Sequence, residues 1–399
     1  MRKLDLITLA VAAALAAPMA AYADAGDTTI GGTVYADFTG INTQSSGKDV
    51  DPNGLGTDVT RAYFIVTHQF DDIWSANLTT DFNFASFKPA STSTCTVTGG
   101  ATGETCTVTT TTSLTSPQNQ LFVKKAYIQG KFDDLAVFRI GSADMPWIPY
   151  AEGVYGYRFI EKTIIDREGF GNSADWGLHL GGANGMWNYQ ISAVNGGGYK
   201  NPTRSKTIDW EGRVGVTPID GLTVAAGFYT GDLGQDTEAN EAKNAAVPGL
   251  PATSTTPAVA AIPATPKNTA SRTNFLADWK GAGLNVGAEY FTAKNFSSSL
   301  IFAASTKTDS EDGYSVYGSY DFPDTAFGIY ARYDSVKPKK DTESALKDTY
   351  YNGGLAWHAN KNLTWAFGFK SDELKDDSKS PAPVDNKVQE VGVWLQAKY

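Results

Sequence analysis

Charged side chains of both signs crowd residues 152–168: Glu152, Arg158, Glu161, Lys162, Asp166, Arg167 and Glu168. They belong to a stretch from Ala143 to Ala174 that opens with Met145-Pro-Trp-Ile-Pro-Tyr150 and closes with Glu168-Gly-Phe-Gly171. Carboxylates and guanidinium groups at irregular spacing, with no nucleophile beside them, suit an electrostatic task, in which fixed charges sort solutes passing a narrow point. Bond chemistry would need a nucleophile or activated water beside a histidine that a carboxylate orients. The chain has only His68, His179 and His358, far apart in sequence, and no Gly-x-Ser-x-Gly. That scarcity also leaves no paired histidines for zinc, no cofactor is implied, and an enzyme is not expected.

The charged stretch is about thirty residues long and does not alternate, whereas the chain on either side of it does little else; a long irregular segment among regular elements is usually functional. In the first strand Ile30, Gly32, Val34, Ala36 and Phe38 share one face, opposite Thr33, Tyr35 and Asp37. Further on, Trp74, Ala76, Leu78, Thr80, Phe82 and Phe84 oppose Ser75, Asn77, Thr79, Asp81 and Asn83. A two-residue period sustained over about ten positions marks a strand with one face in hydrocarbon and one toward polar contents. Sixteen such segments can be counted to the end of the chain. They predict an all-β fold, a 16-stranded antiparallel transmembrane β-barrel with an inward-folded third loop.

Connections between the segments alternate in length. The short ones are Phe70-Asp-Asp, Phe132-Asp-Asp, Gly182-Ala-Asn-Gly, Ile219-Asp-Gly, Gly281-Ala-Gly, Pro323-Asp-Thr and Ala359-Asn-Lys. The long ones are 41–58, 85–118, 143–174, 195–206, 231–271, 293–310, 335–347 and 371–386. Tight turns on one side and long loops on the other, with both termini on the tight-turn side, fit an even-stranded barrel whose tight turns are periplasmic.

A soluble sandwich would also alternate, and charge separates the two readings, because Lys or Arg facing lipid at mid-membrane costs about 2–4 kcal/mol. The polar face carries Asp37, Arg61, Asp81, Lys125, Arg139, Asp209, Glu211, Arg213, Asp278, Glu289, Asp321, Arg332, Asp334, Lys370 and Glu390. Only Lys124 and His68 fall on the apolar face, both near strand ends where a side chain can reach water. Trp74, Trp187, Trp279, Phe322, Phe327 and Trp357 cluster beside the tight turns, as amphipathic aromatics do at a membrane boundary. Arg61, Lys125, Arg139, Arg213 and Arg332 are the expected pore-wall cations, and residues 152–168 supply the expected constriction. Loop carboxylates facing wall cations would set a transverse field; pairing within the loop would merely pin it.

The N-terminus reads as an export signal over residues 1–23, with Arg2 and Lys3, an apolar run from Leu6 to Met19 and Ala21-Tyr22-Ala23 as the cleavage site. Its loss moves the formal charge from −10 to −11 over a barrel domain of residues 24–399, an acidity that argues against a nucleic-acid partner. Mean hydropathy is −0.27, and beyond the N-terminus no apolar run is long enough for a membrane helix. Cys95 and Cys106 share one Thr-rich loop of an exported chain, so a disulfide is expected there, worth about 3 kcal/mol in the chain-entropy model; two unpaired thiols are the alternative. Residues 231–271 form a loop whose Ala, Pro and Thr-rich part from 245 onward is expected to be solvated external cover. Asp49-Val-Asp51-Pro-Asn53-Gly54 resembles the start of a calcium loop, but Thr60 stands where a bidentate Glu belongs, and an Asx turn is the simpler reading.

The export signal, sixteen alternating strands, long third loop and final strand ending in an aromatic residue together resemble a Gram-negative outer-membrane porin. Arg139-Ile-Gly-Ser, leading through Met145-Pro to Phe159-Ile-Glu161 and Asp166-Arg167-Glu168-Gly, is similar to the third-loop region of the phosphate-selective porin O and P family. The resemblance implies a homotrimer of water-filled channels in the cell outer membrane, in contact with lipid and lipopolysaccharide, passing ions and small hydrophilic solutes through a bore narrowed by the third loop. The arginine ladder of phosphate-selective members is not matched here, because acids outnumber bases on the polar face. A barrel phospholipase or protease is a second function class, for which the chain has no matching motif, and a surface adhesin using the long loops is a third, compatible with channel function.

Overall fold

The computed structural model describes residues 26–51, 53–83, 90–98, 105–113, 120–246, 264–302, 309–341, 343, 345–376 and 384–399. The export signal lies outside the described residues, as do the side chains of Cys95 and Cys106 and most of the Ala/Pro/Thr-rich stretch. Sixteen antiparallel strands build the body. They are β1 Thr28–Ser45, β2 Gly54–Gln69, β3 Trp74–Asn83, β4 Gln120–Lys131, β5 Val137–Asp144, β6 Ala174–Asn184, β7 Trp187–Val194 and β8 Asp209–Ile219. Then follow β9 Leu222–Gly231, β10 Ala270–Gly281, β11 Leu284–Lys294, β12 Ser310–Asp321, β13 Phe327–Lys337, β14 Leu346–Asn360, β15 Leu363–Asp376 and β16 Val384–Lys398.

Each strand pairs with the next, and β16 pairs back onto β1, from Thr33 opposite Lys398 to Ser45 opposite Asn386. Closure removes the unpaired sheet edges that would otherwise recruit another chain. The two-residue strand Lys48–Asp49 extends the first hairpin, and Ala90–Thr98 pairs with Thr105–Ser113 as a separate hairpin. The seven short connections fall where the sequence places them. One is tighter than expected: β6 continues through Asn184, which pairs with Trp187, leaving only Gly185 and Met186 in the turn. Gly185 has φ +58°, the left-handed geometry that two-residue hairpins favour because it matches strand twist.

The alternation is that of a barrel with an apolar outside. Along β10, Arg272, Asn274 and Asp278 are buried while Phe275 and Trp279 are exposed. Along β13, Tyr330, Arg332 and Asp334 are buried while Phe327 and Ile329 are exposed. Trp74, Trp187, Trp279, Phe322, Phe327 and Trp357 are all exposed, the collar read from the sequence.

Two features depart from strict alternation. Lys124, expected on the apolar face, turns toward the bore: its Nζ donates to Tyr63 Oη at 3.2 Å and sits 4.5 Å from that ring's centre. The cause is a β-bulge. Thr79 pairs with Lys125 but Thr80 pairs with Val123, so Lys124 is the extra residue, and a bulge re-aims a side chain without moving the rest of the strand.

The second departure is apolar. Ala225, Leu276, Phe291, Ala293 and Val336 belong to the inner set of β9, β10, β11 and β13, yet they are buried against Trp147, Ile148, Ala151, Ile164, Ile165 and Phe170. One buried apolar cluster thus joins the β5–β6 connection to β9, β10, β11 and β13, and a second joins Tyr155, Tyr157, Phe159 and Ile160 to Tyr35, Tyr330, Ala356, Ala366 and Trp394. Fully burying such side chains contributes about 1.5–3 kcal/mol each.

Candidate functional site

The β5–β6 connection is compact for local reasons. Its helix α1, Ile148–Tyr155, starts with proline in its first turn and stops at Gly156, whose φ of +84° no β-branched residue would adopt readily. The Gly156 N–H closes the helix by donating to the Glu152 carbonyl at 2.9 Å, a left-handed glycine cap. A single turn, α2 Ile164–Arg167, follows an extended Thr163.

Charged and polar bonds attach this connection to strands around much of the circumference. The Trp147 N–H donates to Glu211 of β8 at 2.9 Å, and its indole N–H donates to Glu289 of β11 at 2.6 Å. Arg332 of β13 donates to the Lys162 carbonyl at 2.5 Å, and Arg272 of β10 donates to the Phe170 carbonyl. Lys370 of β15 lies 3.4 Å from Glu161. Asn285 of β11 donates to the Val154 carbonyl at 3.4 Å, and Phe159 packs beside Tyr35 of β1 with ring centres 6.4 Å apart.

Arg167 is the most heavily bonded cation. It reaches Asp334 of β13 at 3.3 Å, Asp348 of β14 at 2.8 Å and Asp372 of β15 at 3.0 Å, while also pairing with Glu168 at 2.6 Å. Burial, with Asp348, Asp372 and Asp334 close by, pushes the Glu168 carboxyl up to about 8 against the pull of Arg167. Arg167 and Arg332, which also pairs with Asp334, cannot neutralise four carboxylates, so the cluster favours holding a proton.

Of the remaining expected constriction charges, all but Lys162 form ion pairs among the described residues. Arg158 takes Glu152, and Asp166 at 3.4 Å. Of the loop carboxylates, Glu161 alone among the described residues pairs with a wall cation. Lys162 forms no ion pair among the described residues.

Among the expected wall cations, Arg61 pairs with Asp81 at 2.8 Å, Lys125 with Asp144 at 2.5 Å and Arg332 with Asp334 at 2.6 Å. Two are held without a carboxylate. Arg139 donates to Gln129 at 2.8 Å, and Arg213 donates to the Pro146 carbonyl at 2.9 Å while stacking 3.7 Å from the Tyr150 ring centre.

Sequence reasoning passed over several charged groups at this site. Lys200, in the β7–β8 connection, lies 4.6 Å from the Phe122 ring centre and forms no ion pair among the described residues. Arg272 pairs with Glu211 at 3.0 Å; Lys370, which the sequence did place on the polar face, pairs with Glu390 at 2.5 Å. The adjacent Lys124 and Lys125 did carry a signal: two neighbouring cations in one strand can both avoid lipid only through a bulge.

His179 and Ser192 face each other inside β6 and β7, Nδ1 to Oγ 2.8 Å, both almost wholly buried. His358 meets Asp321 at 3.1 Å beside the tight turns. Asn53 accepts the Thr43 N–H at 2.5 Å, and Asp49 accepts from the Gln44 amide at 3.1 Å, tying the calcium-like stretch into the first hairpin.

No family model matches this chain, and no curated protein matches it. Solved structures do. OmpT of Vibrio cholerae is 13% identical with a TM-score of 0.55, covering 95% of this chain and 99% of that one. An anion-selective porin from Comamonas acidovorans is 11% identical with a TM-score of 0.54, covering 94% and 99%. The outer membrane channel DcaP of Acinetobacter baumannii is 11% identical with a TM-score of 0.54, covering 95% and 99%. Across nearly its whole length, then, the chain is similar in fold to the barrels of outer-membrane porins.

Proposed function

We propose that this protein is an outer-membrane porin, a water-filled channel for ions and small hydrophilic solutes whose bore is narrowed by the β5–β6 connection. The observation that carries the reading is a closed barrel, apolar outside and charged inside, with that connection bonded to inner side chains of β8, β10, β11, β13, β14 and β15. A segment leaving the barrel between β5 and β6 can meet so many opposite strands only by crossing the interior. Selectivity in such a channel follows pore width and fixed charge.

Charge placement supports some preference for anions. Every carboxylate of the crossing segment has a cation partner, whereas Lys124, Arg139, Lys162, Lys200 and Arg213 form no ion pair with a carboxylate among the described residues. These cations, together with wall carboxylates such as Glu289 that likewise form no ion pair among the described residues, would set the field at the constriction, rather than loop carboxylates facing Arg61, Lys125 and Arg332. Phosphate, which the similarity of residues 139–171 to phosphate-selective porins suggests, is one anion such a group could slow and select. A homotrimer fits the reading as well, because one fold neighbour is described as a trimer form of OmpT. A barrel enzyme has less support: His179 and Ser192 are sealed from solvent and no carboxylate orients the histidine.

The test is reversal potential in planar bilayers under a KCl gradient, with and without added phosphate. Replacing Arg139 and Arg213 by Ala should lower the anion-to-cation permeability ratio, and an unchanged reversal potential removes the basis for anion preference. Failure of the wild-type protein to form channels removes the porin reading itself.

A further inference from the structure

At the tight-turn end of the bore, beneath the crossing segment, a cavity of about 440 Å³ opens between β10–β12 and β14–β16. Its floor is apolar and comes from the crossing segment: Tyr155, Tyr157 and Phe159, which pack into one aromatic cluster with ring centres about 6 Å apart. Its rim is cationic. Lys280, Lys361 and Lys398 line it, all exposed, and none forms an ion pair among the described residues.

Two acids lie nearby, one fewer than the lysines. Asp321 is held by His358 at 3.1 Å, and Asp278, within electrostatic reach of Lys280, accepts the Tyr317 hydroxyl at 3.1 Å. An aromatic floor and an excess of ammonium groups over carboxylates in one concave site of this size make a pocket for a small amphipathic ligand. Low-dielectric walls around charges of one sign concentrate counter-ions in such a cleft.

From this arrangement we infer that the tight-turn mouth carries a binding site for small aromatic carboxylates, the ring lying on the Tyr155–Phe159 floor and the carboxylate among the three lysines. The anion is required by the rim and the flat apolar body by the floor. A simple inorganic anion would leave the floor wet, and a neutral arene would leave the lysines unpaired. The inference rests on the channel reading only in that solutes reach the cavity through the bore.

Calorimetric titration of the detergent-solubilised full-length barrel tests it, using benzoate, neutral benzamide and ringless acetate as probes. The expected result is saturable benzoate binding, with benzamide and acetate each about tenfold weaker or more, a difference of about 1.4 kcal/mol. Replacing Lys280, Lys361 and Lys398 together by Gln should weaken benzoate by at least about the same factor. Benzamide binding as well as benzoate, undiminished binding by the triple variant, or no saturable benzoate binding to the wild type overturns the site. Because binding is read in detergent and conductance in a bilayer, loss of one is distinguishable from loss of the other. The comparison of probes on the wild-type protein also stands if the triple variant fails to fold.

Discussion

Removing the Arg167 guanidinium tests the proposal that the β5–β6 connection is pinned across the bore. The side chain is 7% exposed, and its partners differ in what they would lose. Asp334 keeps Arg332 at 2.6 Å. Asp372 is 40% exposed, and a pair so open to water is worth at most about 1 kcal/mol. Asp348, at 13% exposure, loses its only ion-pair partner among the described residues, whereas Glu168, whose carboxyl burial already pushes toward the protonated form, can hold a proton instead. Stranding a buried charge costs about 3–5 kcal/mol, and that is the expected loss for Arg167→Ala, not a multiple of it. The apolar anchors Trp147, Ile148, Ile164, Ile165 and Phe170 remain in place, so the segment should loosen around residues 161–168 without leaving the bore.

Two assays read this together. Urea unfolding in detergent should show the variant less stable by about 3–5 kcal/mol at neutral pH, and single-channel records should show higher, noisier conductance. Stranded carboxylates can protonate, so the deficit should shrink as pH falls toward about 5. A variant with wild-type unfolding midpoint and quiet wild-type conductance would refute the idea that this arginine holds the constriction.

Two further outcomes follow from the same geometry. Burial pushes the Glu168 carboxyl up to about 8 in the folded protein from an ordinary 4.5; the folded state thus retains a proton that the unfolded chain releases in that window, and stability should fall as pH rises through it. Glu168→Gln should flatten that slope, measured by unfolding midpoint against pH, and an unchanged slope would assign the dependence elsewhere. On the barrel wall, Val316 is exposed on the outer set of β12, and Val316→Lys should cost about 2–4 kcal/mol in a bilayer. Gln396→Lys, on the inner set of β16 beside the tight-turn cavity, should change stability by no more than about 0.5 kcal/mol; equal costs would show that the two faces are not in different solvents.

The number of strands, the positions of the tight turns and the aromatic collar were legible in the sequence because each is encoded locally. A two-residue period is visible within one strand, and Asp- and Gly-rich pairs such as Gly281-Ala282-Gly283 specify a turn from their own backbone preferences. The existence of an irregular charged segment at 143–174 was legible for the same reason, as a place where the local pattern stops.

What the tertiary structure alone decided was where individual side chains of that segment and its surroundings go. Lys124 reaches the bore only because β3 and β4 slip by one residue between Thr79 and Thr80, and a slip belongs to two strands, not to either sequence. Leu276, Phe291 and Val336 interrupt the polar inner set because another part of the chain covers them. Arg167 takes Asp334, Asp348 and Asp372, and no spacing along the chain announces partners more than a hundred residues away. Alternation is a property of a strand and its solvent, whereas charge pairing depends on how far apart closure of the barrel sets its walls, and only the folded chain fixes that distance.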